Sequence, residues 1–257
     1  MTLFLIVTAT ALAGVLSIGA AATLSLAFLS TMVERMVSIS VGILLATTFL
    51  HALPEAFEYP GVSQQTLFAV LLAGLLGFFI LQKAALLRHT HHHEGDGHGH
   101  HHGHDAEDAG RSGWMVLVGD GVHNFVDGVL IAAAFMADPE VGILTAFAII
   151  AHEIPQEIGD FMILLNAGFS KKRALIYNLI CGLLAILGGV FGYLFLDRAA
   201  SSIPYLLVFA SSSFIYIAVS DLMPQMHRRP HVKESIQQVA LIGFGVALVL
   251  VLTLMGH

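Results

Sequence analysis

The chain has 257 residues, of which 56% are hydrophobic and only 11% charged, with a mean hydropathy of +0.82. Soluble globular proteins carry about 25% charged residues, so this composition excludes a soluble domain and points to membrane-spanning helices. The net charge of -7 offers no basic surface for nucleic acid, and the single cysteine, Cys181, excludes an intramolecular disulfide framework and a four-cysteine zinc site.

A helix needs about 20 residues to cross the apolar core. Apolar runs between polar breaks predict eight spans, at 3–29, 37–57, 66–87, 114–137, 141–167, 173–196, 203–225 and 236–255. No Lys or Arg precedes the first run, so it reads as a retained helix and not as a secretory signal. With the N-terminus outside, the cytoplasmic loops and their flanks hold Arg35, Lys83, Arg88, Arg111, Lys171, Lys172, Arg173, Arg228, Arg229 and Lys233, whereas the outward loops hold only Arg198. That split predicts both termini outside. The chain divides into helices one to three (1–87), a cytoplasmic loop (88–113), helices four and five (114–167) and helices six to eight (168–257).

The loop carries His89, His91, His92, His93, His98, His100, His101, His102 and His104 among Gly, Asp and Glu. Such a composition cannot bury a core, and it reads as a disordered segment that captures metal ions weakly.

Ionisable groups at the centre of a membrane helix cost at least ~2.5–3.5 kcal/mol each, which makes them functional candidates. Span four carries Asp120, His123, Asn124 and Asp127 within GDGVHNFVDG, at offsets of three and four that share one helical face. Span five carries His152, Glu153, Gln156, Glu157 and Asp160 within AHEIPQEIGD, on adjacent rows of one face. Only Asp138-Pro139-Glu140 joins the two spans, so the polar faces of two antiparallel neighbours can meet. Pro155 frees a backbone carbonyl of the preceding turn, which in a membrane needs a neighbour, water or an ion, and the expectation is a kink at a metal site. Imidazole, carboxylate and amide without thiolate suit Zn²⁺, Fe²⁺, Mn²⁺, Co²⁺, Ni²⁺ or Cd²⁺ better than Cu⁺.

Two further strings match each other. His51-Ala52-Leu53-Pro54-Glu55 in span two and Asp221-Leu222-Met223-Pro224-Gln225 in span seven are both polar-x-x-Pro-polar. Spans one to three and six to eight then read as repeats that start on opposite sides of the membrane and flank spans four and five, an inverted 3+2+3 arrangement. His51, Glu55 and Asp221, with Asp120 and Asp160, are candidates for the pathway leading to and from the site.

HNFVDG and HEIPQEIGD resemble the signature of the ZIP (Zrt/Irt-like) metal transporters, in the branch with a HExPHExxD-type fifth helix. HALPE, DLMPQ and the His-rich loop are similar to that family too, so the resemblance spans essentially the whole chain, in the form of a minimal, prokaryotic-type member. The resemblance implies a transporter and not an enzyme, carrying Zn²⁺, Fe²⁺, Mn²⁺ or Cd²⁺ into the cytoplasm across a plasma membrane, the inner membrane in a bacterium. It implies no prosthetic group, and as partners the transported ion, membrane lipid and a second copy in a homodimer. It also implies a binuclear site, with His123, Asp127, His152 and Gln156 around one ion and Asn124, Asp127, Glu153 and Gln156 near the other, and Glu157 beside them. Gln156 stands where the family has His, and an amide is a weaker, neutral ligand.

The residues leave two other readings open. HEIPQ is similar to the HExxH helix of zinc hydrolases, but Gln156 replaces the second His and Pro155 breaks the helical spacing. A metal exporter or sensor would use the same polar faces. The topology is tested with a cysteine in place of Gly99: it should resist an impermeant thiol reagent added to intact cells, and ready labelling would contradict a cytoplasmic loop.

Overall fold

The computed structural model describes residues 1–23, 26–90, 104–196, 198–226 and 232–256, and every element among them is helical. The helices are α1 (Thr2–Thr23), α2 (Leu26–Thr47), α3 (Leu53–Glu58), α4 (Gln64–Thr90), α5 (His104–Ala137), α6 (Pro139–Asn166), α7 (Lys171–Leu196), α8 (Ile203–Tyr216), α9 (Met223–Met226) and α10 (Val232–Gly256). A π turn, Thr48–Ala52, joins α2 to α3, and a second, Ile217–Leu222, joins α8 to α9, so each set forms one continuous span. Among the described residues seven helical stretches are long and apolar enough to cross a membrane, and the apolar part of α4, Gln64–Ile80, makes the eighth. The chain is an all-α membrane protein of about eight spans.

Several boundaries differ from the hydropathy reading. The first span ends at Thr23 and α2 begins at Leu26, well before the expected start at 37. The stretch ATLSLAFLS has no polar break, so hydropathy cannot mark a turn inside it. At the other end of the first bundle, α4 runs on to Thr90 and α5 starts at His104, so both ends of the 88–113 segment are helical. The tract 91–103, with most of the loop histidines, lies outside the described residues.

The helix pairs follow a two-fold pattern. Exchange span one with six, two with seven, three with eight and four with five: α1–α6 then becomes α5–α7, α2–α6 becomes α5–α8, and α2–α10 becomes α4–α8, and all six pairs are in contact. The first and sixth spans run antiparallel, since Gly14 lies against Gly182 while Ile6 lies against Gly189. Antiparallel equivalents are what inverted repeats require. The matched proline strings have matched local structure as well. Leu53 donates its N–H to the Thr48 carbonyl and Met223 donates to Ala218, a five-residue reach immediately before Pro54 and Pro224. A proline clashes with the carbonyl four residues back, and a π turn relieves that clash by widening the helix.

Pro155 is handled differently. Helix α6 continues through it from Pro139 to Asn166, and the Ala151 carbonyl four residues back accepts a hydrogen bond from the Ser40 hydroxyl of α2. The freed carbonyl thus finds its partner on a neighbouring helix, one of the outlets expected for it.

One feature sets α5 and α6 side by side, and another fixes α5 on α7. Asp138 caps α6, its Oδ1 accepting from the N–H groups of Glu140 (2.7 Å) and Val141 (3.3 Å), with Pro139 at the first helical position. Helix α5 also packs backbone to backbone on α7: a side chain at Gly128 would overlap the Ala185 carbonyl, and one at Gly188 the Phe125 carbonyl. Large apolar residues such as Phe79, Leu187, Phe191, Val239 and Leu254 face outward from α4, α7 and α10, as lipid contact demands. Replacing Gly128 by Val should cost more than the ~1–3 kcal/mol typical of overpacking, because backbone and not a mobile side chain is in the way. Gly119→Ala, in open space, should be neutral. Thermal unfolding of the two variants in detergent checks this, and equal melting temperatures would contradict the close approach.

Candidate metal centre

His123 and Asp127 on α5 meet His152 and Glu153 on α6, and one ligand atom from each lies within 4.8 Å of the other three. The two imidazole Nε2 atoms are 3.4 Å apart. His152 Nε2 stands 3.1 Å from Asp127 Oδ2 and 3.9 Å from Glu153 Oε1, and His123 Nε2 stands 3.7 Å and 3.5 Å from the same two oxygens. Four ligands about 2.0–2.1 Å from a tetrahedral zinc ion stand about 3.3 Å from one another. The observed separations bracket that spacing.

The protonation pattern favours a cation at the centre. His152 Nδ1 lies 3.0 Å from the Ala148 carbonyl, which only accepts, so the ring proton sits on Nδ1. Nε2, on the other side of the ring, faces Asp127 Oδ2 at 3.1 Å, inside the cluster. A hydrogen bond to the far nitrogen is also the usual way a metal-binding imidazole is oriented. Asp127, His152 and Glu153 are at most 2% exposed, and Asp127 Oδ1 and Glu153 Oε1 have no hydrogen-bond donor. Burying such groups uncompensated is costly. Two carboxylates and two imidazoles are a ligand set suited to one divalent ion. His123 is the half-exposed member, and the Phe214 ring of α8 walls the site behind His152, centroids 6.1 Å apart.

The other sequence candidates divide into neighbours and outliers. Asn124 is buried next to the four, its Nδ2 donating to the Asp120 carbonyl (3.2 Å) and Oδ1 (2.9 Å). Gln156 is half-buried on the following turn of α6. Glu157 is fully buried, neither carboxylate oxygen has a donor, and its backbone carbonyl accepts from Asn178 Nδ2 at 3.3 Å. Asp120 is buried and Asp160 half-buried, both displaced from the four toward the α5 start and the α6 end. His51 does not join the cluster: its Nε2 lies 2.7 Å from the Thr253 hydroxyl of α10. Glu55 is half-buried in the first turn of α3. Asp221 lies in the second π turn, and its side chain is outside the described residues. Ser40 and Phe214 carried no signal in the sequence, because only the packed rotation of α2 and α8 turns them toward α6.

Residues 83–253, which include all four clustered side chains, match the family described as ZIP Zinc transporter. The chain belongs to the ZIP zinc transporter family. Among its relatives, Zinc transporter ZIP13 of Pongo abelii is 31% identical over 239 residues, covering 86% of this chain and 67% of that protein. Zinc transporter foi of Drosophila melanogaster is 43% identical over 113 residues, 44% of this chain but 16% of that one. Metal cation symporter ZIP14 of Xenopus tropicalis is 41% identical over 120 residues, 47% and 26% of the two chains. The ZIP chain described here thus spans about two thirds of the ZIP13 relative and small parts of the other two. In this ZIP protein Zn²⁺ at 100 times its dissociation constant should stabilise the fold by about 2.7 kcal/mol. The gain, read as a rise in melting temperature, should shrink in His152→Ala and Asp127→Ala; an undiminished rise in both would place the ion elsewhere.

Proposed function

We propose that the protein is a transporter that moves divalent transition-metal ions, Zn²⁺ foremost, across a plasma membrane into the cytoplasm. The observation that carries this is the set of four converging acceptor atoms on α5 and α6, buried within a bundle whose outer face is apolar. An ion entering such a place must exchange its water shell for fixed ligands, and must hold them weakly enough to leave. Family membership supports the same reading: the relatives are zinc transporters and, in one case, a metal cation symporter. Fe²⁺, Mn²⁺ and Cd²⁺ remain within the chemistry of imidazole and carboxylate.

Finer features belong to the same proposal. The ion first held by His123, Asp127, His152 and Glu153 is joined by a second near Asn124 and Gln156, making the site binuclear. His51 and Glu55 line the approach from outside, and Asp120, Asp160 and Asp221 the exit. Both termini face outward, the 88–113 loop and its histidines face the cytoplasm, and the protein works as a homodimer in lipid, in bacteria in the inner membrane. Helices one to three and six to eight serve as flanking repeats around the helix four and five pair.

The test is ion flux into proteoliposomes, with several metals compared at matched protein amounts. Asp127→Ala removes a ligand and a neutralising charge. It should lower flux by about a hundredfold, the upper end of what even outer-shell changes cost a metal site, while His51→Ala and Asp221→Ala should only reduce it. Gln156→His should stay active and shift preference toward Zn²⁺. Near-normal flux in Asp127→Ala would refute the transport site, and an unchanged metal profile in Gln156→His would make position 156 a packing residue.

A further inference from the structure

One helical turn beyond the four-ligand centre, toward the start of α5, lies a second group of acceptors that the centre does not use. Glu157 follows Glu153 by four residues on α6, and Asp120 precedes His123 by three on α5. Glu157 is 0% exposed and Asp120 4%, and Glu157 lies within electrostatic reach of Asp120 and Asp160. Glu157 Oε1 and Oε2 and Asp120 Oδ2 have no hydrogen-bond donor. A third helix adds a different kind of group. Asn178 of α7, 0% exposed, donates its Nδ2 to the Glu157 carbonyl at 3.3 Å, and its Oδ1 has no partner. Asn124 links the two groups, its Nδ2 donating to the Asp120 carbonyl and Oδ1. Cys181, nearby on α7, is not available, because its thiol donates to the Leu117 carbonyl at 3.3 Å.

We infer that Asp120, Glu157 and Asn178 form a second cation station, built from oxygen alone, which receives the ion from the histidine-containing centre. The inference rests on the transport reading above and adds to it a site distinct from the four ligands and from the ion pair around Gln156. Two carboxylates and an amide from three helices, all buried, leave Glu157 Oε1 and Oε2, Asp120 Oδ2 and Asn178 Oδ1 without a hydrogen-bond partner, a set of oxygens that one divalent cation satisfies. Oxygen ligands hold Zn²⁺ less strongly than imidazole does and are the natural partners of harder ions. A nitrogen-rich centre followed by an oxygen-only one therefore gives the ion a downhill sequence of replacement shells, and conduction needs several sites, each weak enough to leave. Half-exposed Asp160, three residues past Glu157, lies at the wetter end of this station.

The experiment is crystallography of the full chain grown with Zn²⁺, with diffraction recorded at the zinc absorption edge so that each ion is located. Beyond the anomalous density of the centre formed by His123, Asp127, His152 and Glu153 and its neighbours, a separate second peak is expected among Asp120, Glu157 and Asn178. Glu157→Gln should erase the second peak, keep the first, and slow proteoliposome flux at least severalfold. Asp120→Asn carries the same expectation should Glu157→Gln not fold. In His123→Ala/His152→Ala the second peak should persist. A first peak without a second at saturating Zn²⁺, or a second peak unaffected by both carboxylate variants, would overturn the second station and leave the transport reading standing. No peak at either place would overturn both.

Discussion

Two imidazole nitrogens and two carboxylate oxygens share a space where each is too close to the others to be left with bare lone pairs. His152 Nε2 and Asp127 Oδ2, 3.1 Å apart, are the closest pair, with the other ring nitrogen 3.0 Å from the Ala148 carbonyl. In water such a cluster would relax apart or be solvated. Inside an apolar bundle neither outlet exists, and the desolvation of two carboxylates has to be offset by positive charge. Among the described residues no Lys or Arg pairs with Asp127 or Glu153, whose close contacts run to the two histidines. A divalent ion supplies the missing charge, and the rest of the fold can be read as the means of holding these four side chains in place while the ion comes and goes.

That holding is done largely by backbone. The Asp138 cap and Pro139 reverse the chain in the shortest possible distance, so α5 and α6 begin their contact already side by side. Close packing of Gly128 and Gly188 fixes α5 on α7 without any side chain between them. Ser40 occupies the carbonyl that Pro155 would otherwise leave open, so α6 stays helical through the stretch that carries His152, Glu153 and Glu157. The flanking prolines act in the opposite way: Pro54 and Pro224 each follow a π turn, and those turns contain His51 and Asp221. The chain thus keeps the helix regular at the site and widens it in the two flanking repeats.

Much of this was legible in the sequence for a simple reason. Charged and imidazole side chains are expensive in a membrane helix, so their spacing at three and four residues in GDGVHNFVDG and AHEIPQEIGD reveals a face without any structure. The proline strings revealed the repeats, although not the π turns, because a five-residue hydrogen bond leaves no residue signature. The boundary near residues 24–25 was hidden by an unbroken apolar run. Partners across helices were hidden too: that Ser40 meets Ala151, that Asn178 meets Glu157, and that His51 meets Thr253 depends on helix rotation, which a single chain of letters does not encode. The Gln156 position was legible as a departure from the family pattern, but its place beside the four clustered ligands is a matter of geometry.

The most direct measurement is zinc K-edge X-ray absorption on the full-length chain, with the histidines between 91 and 104 replaced by Gln so that loop binding does not contribute. One equivalent of Zn²⁺ should show two imidazole nitrogens and oxygen ligands at about 2.0–2.1 Å, and His152→Ala should remove one imidazole from the shell. A spectrum without imidazole scattering, or one that His152→Ala leaves unchanged, would contradict an ion held between α5 and α6.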